Sequence, residues 1–311
     1  IAPSDDGIDL FAVSHGSAKG HHAVISRPQF AAAVDHLRGQ LEQRSPSVHR
    51  GPDNMDEAES GPASFDRMTA WTVYQQLLAP LEPVLQPARR VTVIAVGKAA
   101  QLPLAALVTA PPVGEDHDPE ALRATAWAAN RHVFASVPTL SQWQSLRAKT
   151  SHNGHPYYVG FGDPVPPRLS GRPMSRLPQA TREVETVAAL FPTPYRMTRF
   201  GEAASEANAK QDDLGRATLL HFATAGLAPS TFPGLDQPAL VLAQSDGEDG
   251  FLTAREVARL RLKADFAIVN GCSTSGDLAN AFLSAGVRSG LAIGGLVRDD
   301  VAADFVIAMT R

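Results

Sequence analysis

Two short apolar runs, each closed by small residues, constrain the fold of this chain more than any other feature. The first, residues 266–269 (FAIV), is followed by Asn270-Gly271, and Cys272 comes directly after it. The second lies within residues 218–226 (TLLHFATAG). Runs of this length are typical of strands buried on both faces of a parallel sheet. Because reactive groups gather at the carboxyl ends of such strands, Cys272 is a candidate nucleophile.

A plainer interpretation of Cys272 stands beside the catalytic one, since a lone cysteine is usually a small buried hydrophobe. It is the only cysteine among 311 residues, which excludes an internal disulfide and fits a reducing cytoplasm. The net charge of -4 gives no basic excess that would indicate nucleic acid or an anionic membrane. No apolar run approaches the roughly 20 residues of a membrane helix. We therefore expect a cytoplasmic protein with no direct nucleic-acid partner and no membrane contact.

The hydrophobic pattern indicates alternating strands and helices on both sides of a boundary near residues 151–155. Before it, the pattern predicts strands at 8–14, 22–26, 90–96 and 132–137, helices at 27–42 and 65–85, and a mobile polar loop at 45–64. After it, the pattern predicts strands at 157–164, 218–226, 239–243, 266–269 and 289–293, and helices at 177–191, 203–212 and 276–285. The chain starts at Ile1 and ends at Arg311 within a helical pattern, so we expect a longer parent chain.

Two motifs resemble those of the CHAT family, caspase-like cysteine peptidases of the same broad clan as caspases and separases. His221-Phe222-Ala223-Thr224-Ala225-Gly226 resembles the family's His-Phe-Ala-Thr-His-Gly segment, whose second His is the general base. The segment from Asn270 to Gly276 (NGCSTSG) resembles Ser-Ala-Cys-x-Thr-Gly, whose Cys is the nucleophile. The nucleophile position matches at Cys272, but the base position holds Ala225.

The resemblance covers nearly the whole chain and is dense between residues 177 and 300, where LPQATRE, FLTAREV and VRDD also match family segments. It implies a three-layer α/β/α caspase-like fold with a mostly parallel sheet. Residues 1–150 would form an N-terminal pseudo-caspase-like half, and residues 151–311 the half that carries the site. Besides Ala225, the chain departs from the family at 294–296 (GGL, where Leu-Trp is usual) and in a short link at 276–279.

The resemblance also assigns roles at the site. The backbone N–H groups of Gly226 and Cys272 would form the oxyanion hole, and no cofactor or metal is implied. Without the base, proton transfer is lost, so we expect the chain to be inactive or nearly so. His221 lies four residues before Ala225, about 13 Å along a strand, and reads better as a core histidine than as a substitute base.

Substrate and partners are encoded less clearly. Asp299 and Asp300 follow the last predicted strand, where they would favour a basic P1 residue, although a helix cap is the commoner role for such aspartates. The resemblance implies a bacterial protein that acts on a protein substrate or a regulatory protein, within a larger parent or beside a partner carrying helical TPR repeats.

Three functional hypotheses stay open on the sequence. The first is a cysteine endopeptidase whose base has been replaced by Ala225 through engineering, which the intact Thr224 and Gly226 frame favours. The second is a natural pseudoprotease that serves as a binding or scaffold module, which Asn270-Gly271 and the missing Trp favour. The third, a doubly wound domain that binds a small molecule, rests on fold analogy alone.

Overall fold

A computed structural model describes residues 1–42, 64–148, 155–169, 172–210, 212–245, 247–271, 275–293 and 297–311. These residues form two compact units, and the chain passes from the first to the second between Ser145 and Leu146. The predicted boundary at 150/151, residues 45–63 of the loop predicted at 45–64, and Cys272 all lie outside the described residues. The pseudo-caspase-like character of the first half therefore stays a prediction.

The first unit combines a small antiparallel sheet with helices and a separate pair of parallel strands. Its elements are β1 (Ala2–Pro3), β2 (Ile8–Ser14), β3 (Ser17–Ala23), α1 (Arg27–Glu42), α2 (Arg67–Leu77), α3 (Glu82–Leu85), β4 (Arg90–Val93), α4 (Pro119–Ala124), β5 (Val133–Ser136) and α5 (Leu140–Ala148), the last of which runs across the division. Short 3₁₀ helices occupy Ala79–Leu81, Gly97–Gln101, Leu104–Ala106 and Ala128–Asn130.

Two sequence predictions for this unit change in detail. The second strand begins at Ser17 rather than at residue 22, because Gly16 takes a φ of 82° and allows a two-residue hairpin that pairs Ser14 with Ser17. The predicted helix at 65–85 is divided near Pro80, the residue expected from the sequence to kink or divide it, and a 3₁₀ turn there separates α2 from α3. The prediction of a helix at 27–42 is confirmed as α1.

The second unit is built on a parallel sheet. Its elements are β6 (Tyr158–Pro164), β7 (Arg168–Leu169), β8 (Arg172–Pro173), α6 (Pro178–Ala188), β9 (Arg196–Gly201), α7 (Glu206–Ala209), β10 (Leu219–Ala223), β11 (Gly226–Leu227), β12 (Ala239–Val241), β13 (Phe251–Thr253), α8 (Ala254–Arg259), β14 (Phe266–Asn270), α9 (Ser275–Ala285), β15 (Ser289–Ala292) and α10 (Asp299–Thr310), with 3₁₀ helices at Thr193–Tyr195 and Asp212–Arg216. Five strands pair in the order β15-β14-β10-β6-β9, all in parallel. A separate antiparallel sheet joins β11, β12 and β13.

Alternate residues of the central strands face opposite layers of helices, because successive side chains of a strand point to opposite faces. On what we call the α9 face, Phe161, Phe222 and Val269 share a core with Leu278 and Phe282 of α9. On the α6 face, the core joins residues of β6, β10 and β14 with residues of α6 and α10, including Tyr158, Ala223, Ile268, Ala180, Val184 and Val306. The predicted three-layer α/β/α arrangement is confirmed for this unit.

Close packing of α6 on β6 explains two glycines of that strand. A β-carbon built at Gly160 would lie 2.7 Å from Cγ1 of Val184, and one at Gly162 would lie 2.9 Å from the carbonyl oxygen of Ala180. These separations are shorter than side chains tolerate, so the glycines let α6 pack against the strand.

Among the described residues, no helix is long and apolar enough to cross a membrane.

The sheet differs from the sequence predictions at its edge and in its centre. The edge strand β9 was not predicted, because Arg196–Gly201 (RMTRFG) lacks a regular alternation of apolar residues. The strand β14 extends through Asn270, which pairs with Ala223 of β10, instead of stopping before Asn270. Both β10 and β14 therefore end at the same level of the sheet.

Candidate active site

The main chain around Ala225 is held between two neighbouring segments at the carboxyl end of the sheet. The Thr224 amide donates to the Asn270 carbonyl oxygen at 3.3 Å, and the Thr224 hydroxyl donates to the Val241 carbonyl oxygen. The Val241 amide donates in turn to the Ala225 carbonyl oxygen at 2.9 Å. Thr224 is fully buried and Ala225 is 6% exposed. The predicted base position is therefore a closely packed position at this edge of the sheet.

Gly226 and Gly271 approach each other where the oxyanion hole is predicted. A β-carbon built at Gly271 would lie 3.2 Å from the Gly226 amide nitrogen and 3.2 Å from the Thr224 carbonyl oxygen. Such separations are tighter than nine in ten real β-carbon contacts, so glycine at 271 permits the close approach. The structure thus brings the segment before Cys272 beside the Thr224–Gly226 segment. Cys272 lies outside the described residues, and its predicted place beside Ala225 stays a prediction.

A buried polar network crosses the α6 face just below this edge. His221 contacts the Tyr158 hydroxyl through Nδ1 at 2.8 Å and Oε1 of Glu183 through Nε2 at 2.8 Å. Nδ2 of Asn270 donates to Oε1 and Oε2 of Glu183 at 2.9 and 3.0 Å. All four side chains are at most 1% exposed. Glu183 is therefore the shared acceptor that connects α6 with β10 and β14.

The contacts define one consistent direction of donation when His221 is neutral and Glu183 is ionised. The Tyr158 hydroxyl then donates to Nδ1, and Nε2–H donates to Glu183, which also accepts from Asn270. Burial, followed by the nearby Glu183 carboxylate, raises the pKa of Tyr158 well above its ordinary value, so this hydroxyl keeps its proton. The Tyr158 hydroxyl also lies 3.4 Å from the Val184 carbonyl oxygen, and each of the four side chains has a hydrogen-bond partner within the fold.

His221 is unsuited to replace the missing base in this arrangement. It is fully buried, and both ring nitrogens are engaged, with Tyr158 and Glu183. A general base must come within hydrogen-bond reach of the proton that it removes. The interpretation of His221 as a satisfied core histidine agrees with these contacts.

The two predicted substrate-binding aspartates occupy different environments. Asp299 is 5% exposed, and Oδ2 accepts from the Gln179 amide at 3.0 Å, so it caps the N-terminus of α6. Asp300 pairs with Arg298 in an exposed ion pair, and the hydrogen bond from Arg298 lowers the pKa of the Asp300 carboxyl. The structure gives Asp299 a structural contact and leaves Asp300 at the surface.

A further ion pair at the end of β6 was missed by sequence reasoning. Arg176 donates from Nε to Oδ1 of Asp163 at 2.7 Å and from Nη2 to Oδ2 at 2.6 Å, and the Leu177 amide donates to Oδ1 at 2.9 Å. Asp163 has a φ of 43°, a left-handed conformation that is uncommon outside glycine. The only sequence signal was Gly-Asp-Pro at the end of a strand, and the partner Arg176 is not apparent from it.

Three carboxylates away from these residues form the one group among the described residues that could hold a metal ion: Glu206, Glu248 and Glu256, with ligand atoms within 4.8 Å of one another. The ammonium group of Lys210 lies 2.6–2.8 Å from an oxygen of each. Burial lowers the pKa of Lys210, but the three carboxylates outweigh it and raise that pKa. Lys210 thus supplies the positive charge that this cluster needs.

A cavity of about 510 Å³ lies beside that cluster and is lined by Gln244, Ser245, Gly247, Glu248 and Asp249. None of the lining residues is a predicted site residue. The acidic cluster had no sequence signal, because its members are widely separated along the chain and no ligand motif links them.

Comparison with protein families gives one match. The family described as the CHAT domain matches residues 67–311, which extends over both compact units and includes every predicted site residue. No curated protein matches the chain.

Proposed function

The chain belongs to the CHAT domain family, a caspase-like family related to peptidases, and on that premise we propose that it has the site of a cysteine endopeptidase with Cys272 as nucleophile. Its general-base position holds Ala225, so the chain itself is inactive or nearly so. The observation that supports this proposal best is the convergence of two segments. Thr224–Gly226 and Asn270-Gly271 meet at the carboxyl end of the sheet, where the family motifs place base and nucleophile.

Each proposed role follows from the chemistry of peptide hydrolysis. The Cys272 sulfur would attack the scissile carbonyl carbon as a thiolate, and the N–H groups of Gly226 and Cys272 would bind the resulting oxyanion. A His at position 225 would take the thiol proton and later give a proton to the leaving amine. Ala225 can do neither. A free thiol is only a few per cent ionised at neutral pH, so attack would be slow.

The Ala225→His variant tests this proposal. We expect thiol-dependent cleavage of a peptide library to rise by about 10² or more over the unmodified chain, because acid–base transfer is worth about that factor. The matched control is Ala225→His with Cys272→Ala, which should return cleavage to the starting level. Because Ala225 is only 6% exposed, thermal unfolding must show that the imidazole is accommodated.

A folded Ala225→His protein that neither cleaves peptides nor reacts with a thiol-directed peptide inhibitor would contradict the endopeptidase proposal. The assay should be repeated with the full-length parent and proteins encoded beside it, since ordering of loops by other segments can complete a catalytic site.

The second candidate function is a natural pseudoprotease that binds a protein partner. The close packing of Ala225 within the α6-face core favours it, because a close-packed position leaves little room for a larger imidazole ring. An Ala codon at position 225 of the natural gene, together with inactivity of Ala225→His, would support this candidate. A His codon there would reject it and identify Ala225 as engineered.

We further propose a protein substrate or regulatory partner, a larger parent with helical TPR repeats in the same or a partner chain, and a cytoplasmic location. Of the two aspartates, Asp300 is the better candidate for binding a basic P1 residue, because Asp299 is buried against α6. In an activated Ala225→His protein, Asp300→Asn should then reduce the preference for Lys and Arg at P1.

A further inference from the structure

Glu183 occupies an unusual position for a carboxylate. It lies on the apolar side of α6 together with Ala180, Val184 and Val187, and its side chain is fully buried. Burying a charged group without partners is costly, so its hydrogen bonds must compensate. Both of its oxygens accept from Nδ2 of Asn270, the last residue of β14, and one also contacts Nε2 of His221.

Asn270 transmits that contact to the segment that leads to the proposed nucleophile. Its carbonyl oxygen accepts from the Thr224 amide, so Asn270 touches the segment that carries Ala225 as well as Glu183. Cys272 follows Asn270 by two residues in the sequence. The CHAT motif has Ser at position 270, and the longer Asn side chain is what reaches both oxygens of Glu183 here.

We propose that Glu183 is a positioning residue for the nucleophile, acting through Asn270 to fix the carboxyl end of β14. The proposal rests on the proposed endopeptidase site. It does not make Glu183 a catalytic residue, because its carboxylate is buried and engaged with His221 and Asn270. The buried Glu183 carboxylate takes no part in the hydrolytic steps, and its function is to order the end of β14.

Asn270-Gly271 provides a readout that needs no enzyme activity. In an Asn-Gly sequence the Gly amide nitrogen attacks the Asn side-chain carbonyl carbon, ammonia leaves, and water opens the succinimide to Asp or isoaspartate. Holding the Asn side chain against Glu183 opposes this attack. The chain contains a second Asn-Gly at Asn153-Gly154, and peptide mapping can therefore measure deamidation of Asn270 relative to Asn153 in the same sample.

The decisive variant is Glu183→Met, which keeps the length of the side chain and removes both acceptor oxygens. We expect deamidation of Asn270 relative to Asn153 to rise about tenfold, since hydrogen bonds to a charged group shift a local opening equilibrium by about that factor. Glu183→Gln should give a smaller rise, because its single amide oxygen can still accept from Asn270. The Gln variant also keeps the test decisive if the Met variant fails to fold.

Tyr158→Phe is the matched control, since it removes the hydroxyl at the far end of the same network and leaves Glu183 with Asn270. It should leave the deamidation ratio unchanged. An unchanged ratio in both Glu183 variants would overturn the proposal. So would an equal rise in Tyr158→Phe, which would show general loosening of the α6 face.

A second measurement connects the network to catalysis. In an active Ala225→His background, Glu183→Gln should lower kcat several-fold while KM changes little, because the nucleophile is displaced and substrate contacts are kept. A loss of kcat/KM that comes entirely from a higher KM would contradict the positioning role. If Ala225→His alone shows no activity, the endopeptidase proposal fails by itself, and the deamidation ratio still decides whether Glu183 orders Asn270.

Discussion

The two faces of the same sheet are stabilised in different ways. On the α9 face, Phe222 stacks on Phe161 with ring centroids 5.0 Å apart and packs near Phe282 at 5.4 Å. One residue earlier in the same strand, His221 faces α6 and joins the hydrogen-bonded network with Glu183. Both side chains are fully buried.

The two faces differ in how a substitution affects stability. The α9 face depends on apolar area and close packing, so its loss should not depend on pH. The α6 face has an apolar core as well, but it also depends on matched donors and acceptors, and each broken contact there leaves a buried polar group. The α6 face also adjoins the proposed site, which suggests that direction-specific bonds are used where geometry matters for function.

The largest effect is expected from Phe222→Ala. Removing a fully buried aromatic ring that contacts two others should lower the free energy of unfolding by about 3–5 kcal/mol. Urea denaturation at several pH values should give the same loss at each. A loss that changes strongly with pH would remove the distinction between the two faces.

A smaller, pH-dependent effect is expected from Asn270→Asp on the α6 face. The change replaces a donor with a carboxylate facing Glu183, and we expect a loss of about 2–3 kcal/mol near neutral pH, since the buried acceptor loses its partner. Repulsion raises the folded-state pKa of the carboxyl pair above its unfolded value. Stability should therefore recover as the pH falls through that raised pKa. A difference in unfolding free energy between Asn270→Asp and the unmodified chain that stays constant from neutral to acid pH would contradict the assignment.

The smallest effect is expected from Tyr158→Phe, which removes one hydroxyl and keeps the ring against Phe191. The expected loss is about 1 kcal/mol. Because the pKa of Tyr158 is raised in the folded state, the hydroxyl's contribution is present below the unfolded pKa of about 10 and is lost as the pH rises above it. The difference in unfolding free energy between the unmodified chain and Tyr158→Phe should therefore become smaller in strong alkali. A difference that grows would contradict the proposed hydrogen bond of Tyr158.

The apolar half of this comparison was predictable from the sequence, and the polar half was not. The runs FAIV and LLHFA indicate buried parallel strands, and the family motifs locate Ala225 and Gly226 at the sheet's carboxyl end. The pairing of Glu183 with Asn270 joins residues 87 positions apart, and no local pattern reports such a contact. The one available signal was an acidic residue within the apolar stripe of α6.

The structure also changes the interpretation of Asn270-Gly271. On sequence alone it suggested drift away from the family, but Asn270 is buried and bonded to Glu183, and Gly271 allows close approach to Gly226. Both residues therefore fit a maintained site. The acidic cluster around Lys210 was missed because Glu248 and Glu256 lie 38 and 46 positions from that lysine. The edge strand β9 was missed because its sequence lacks a regular alternation of apolar residues.

The most direct test of the central claim, that Cys272 and position 225 form one site, is the pH dependence of Cys272 alkylation by iodoacetamide. Because Cys272 is the only thiol, its rate can be followed without correction. We predict that alkylation of Ala225→His sets in at a clearly lower pH than alkylation of the unmodified chain, since an adjacent imidazolium stabilises the thiolate. Two superimposable curves from folded proteins would show that the positions are not neighbours, which would contradict the account.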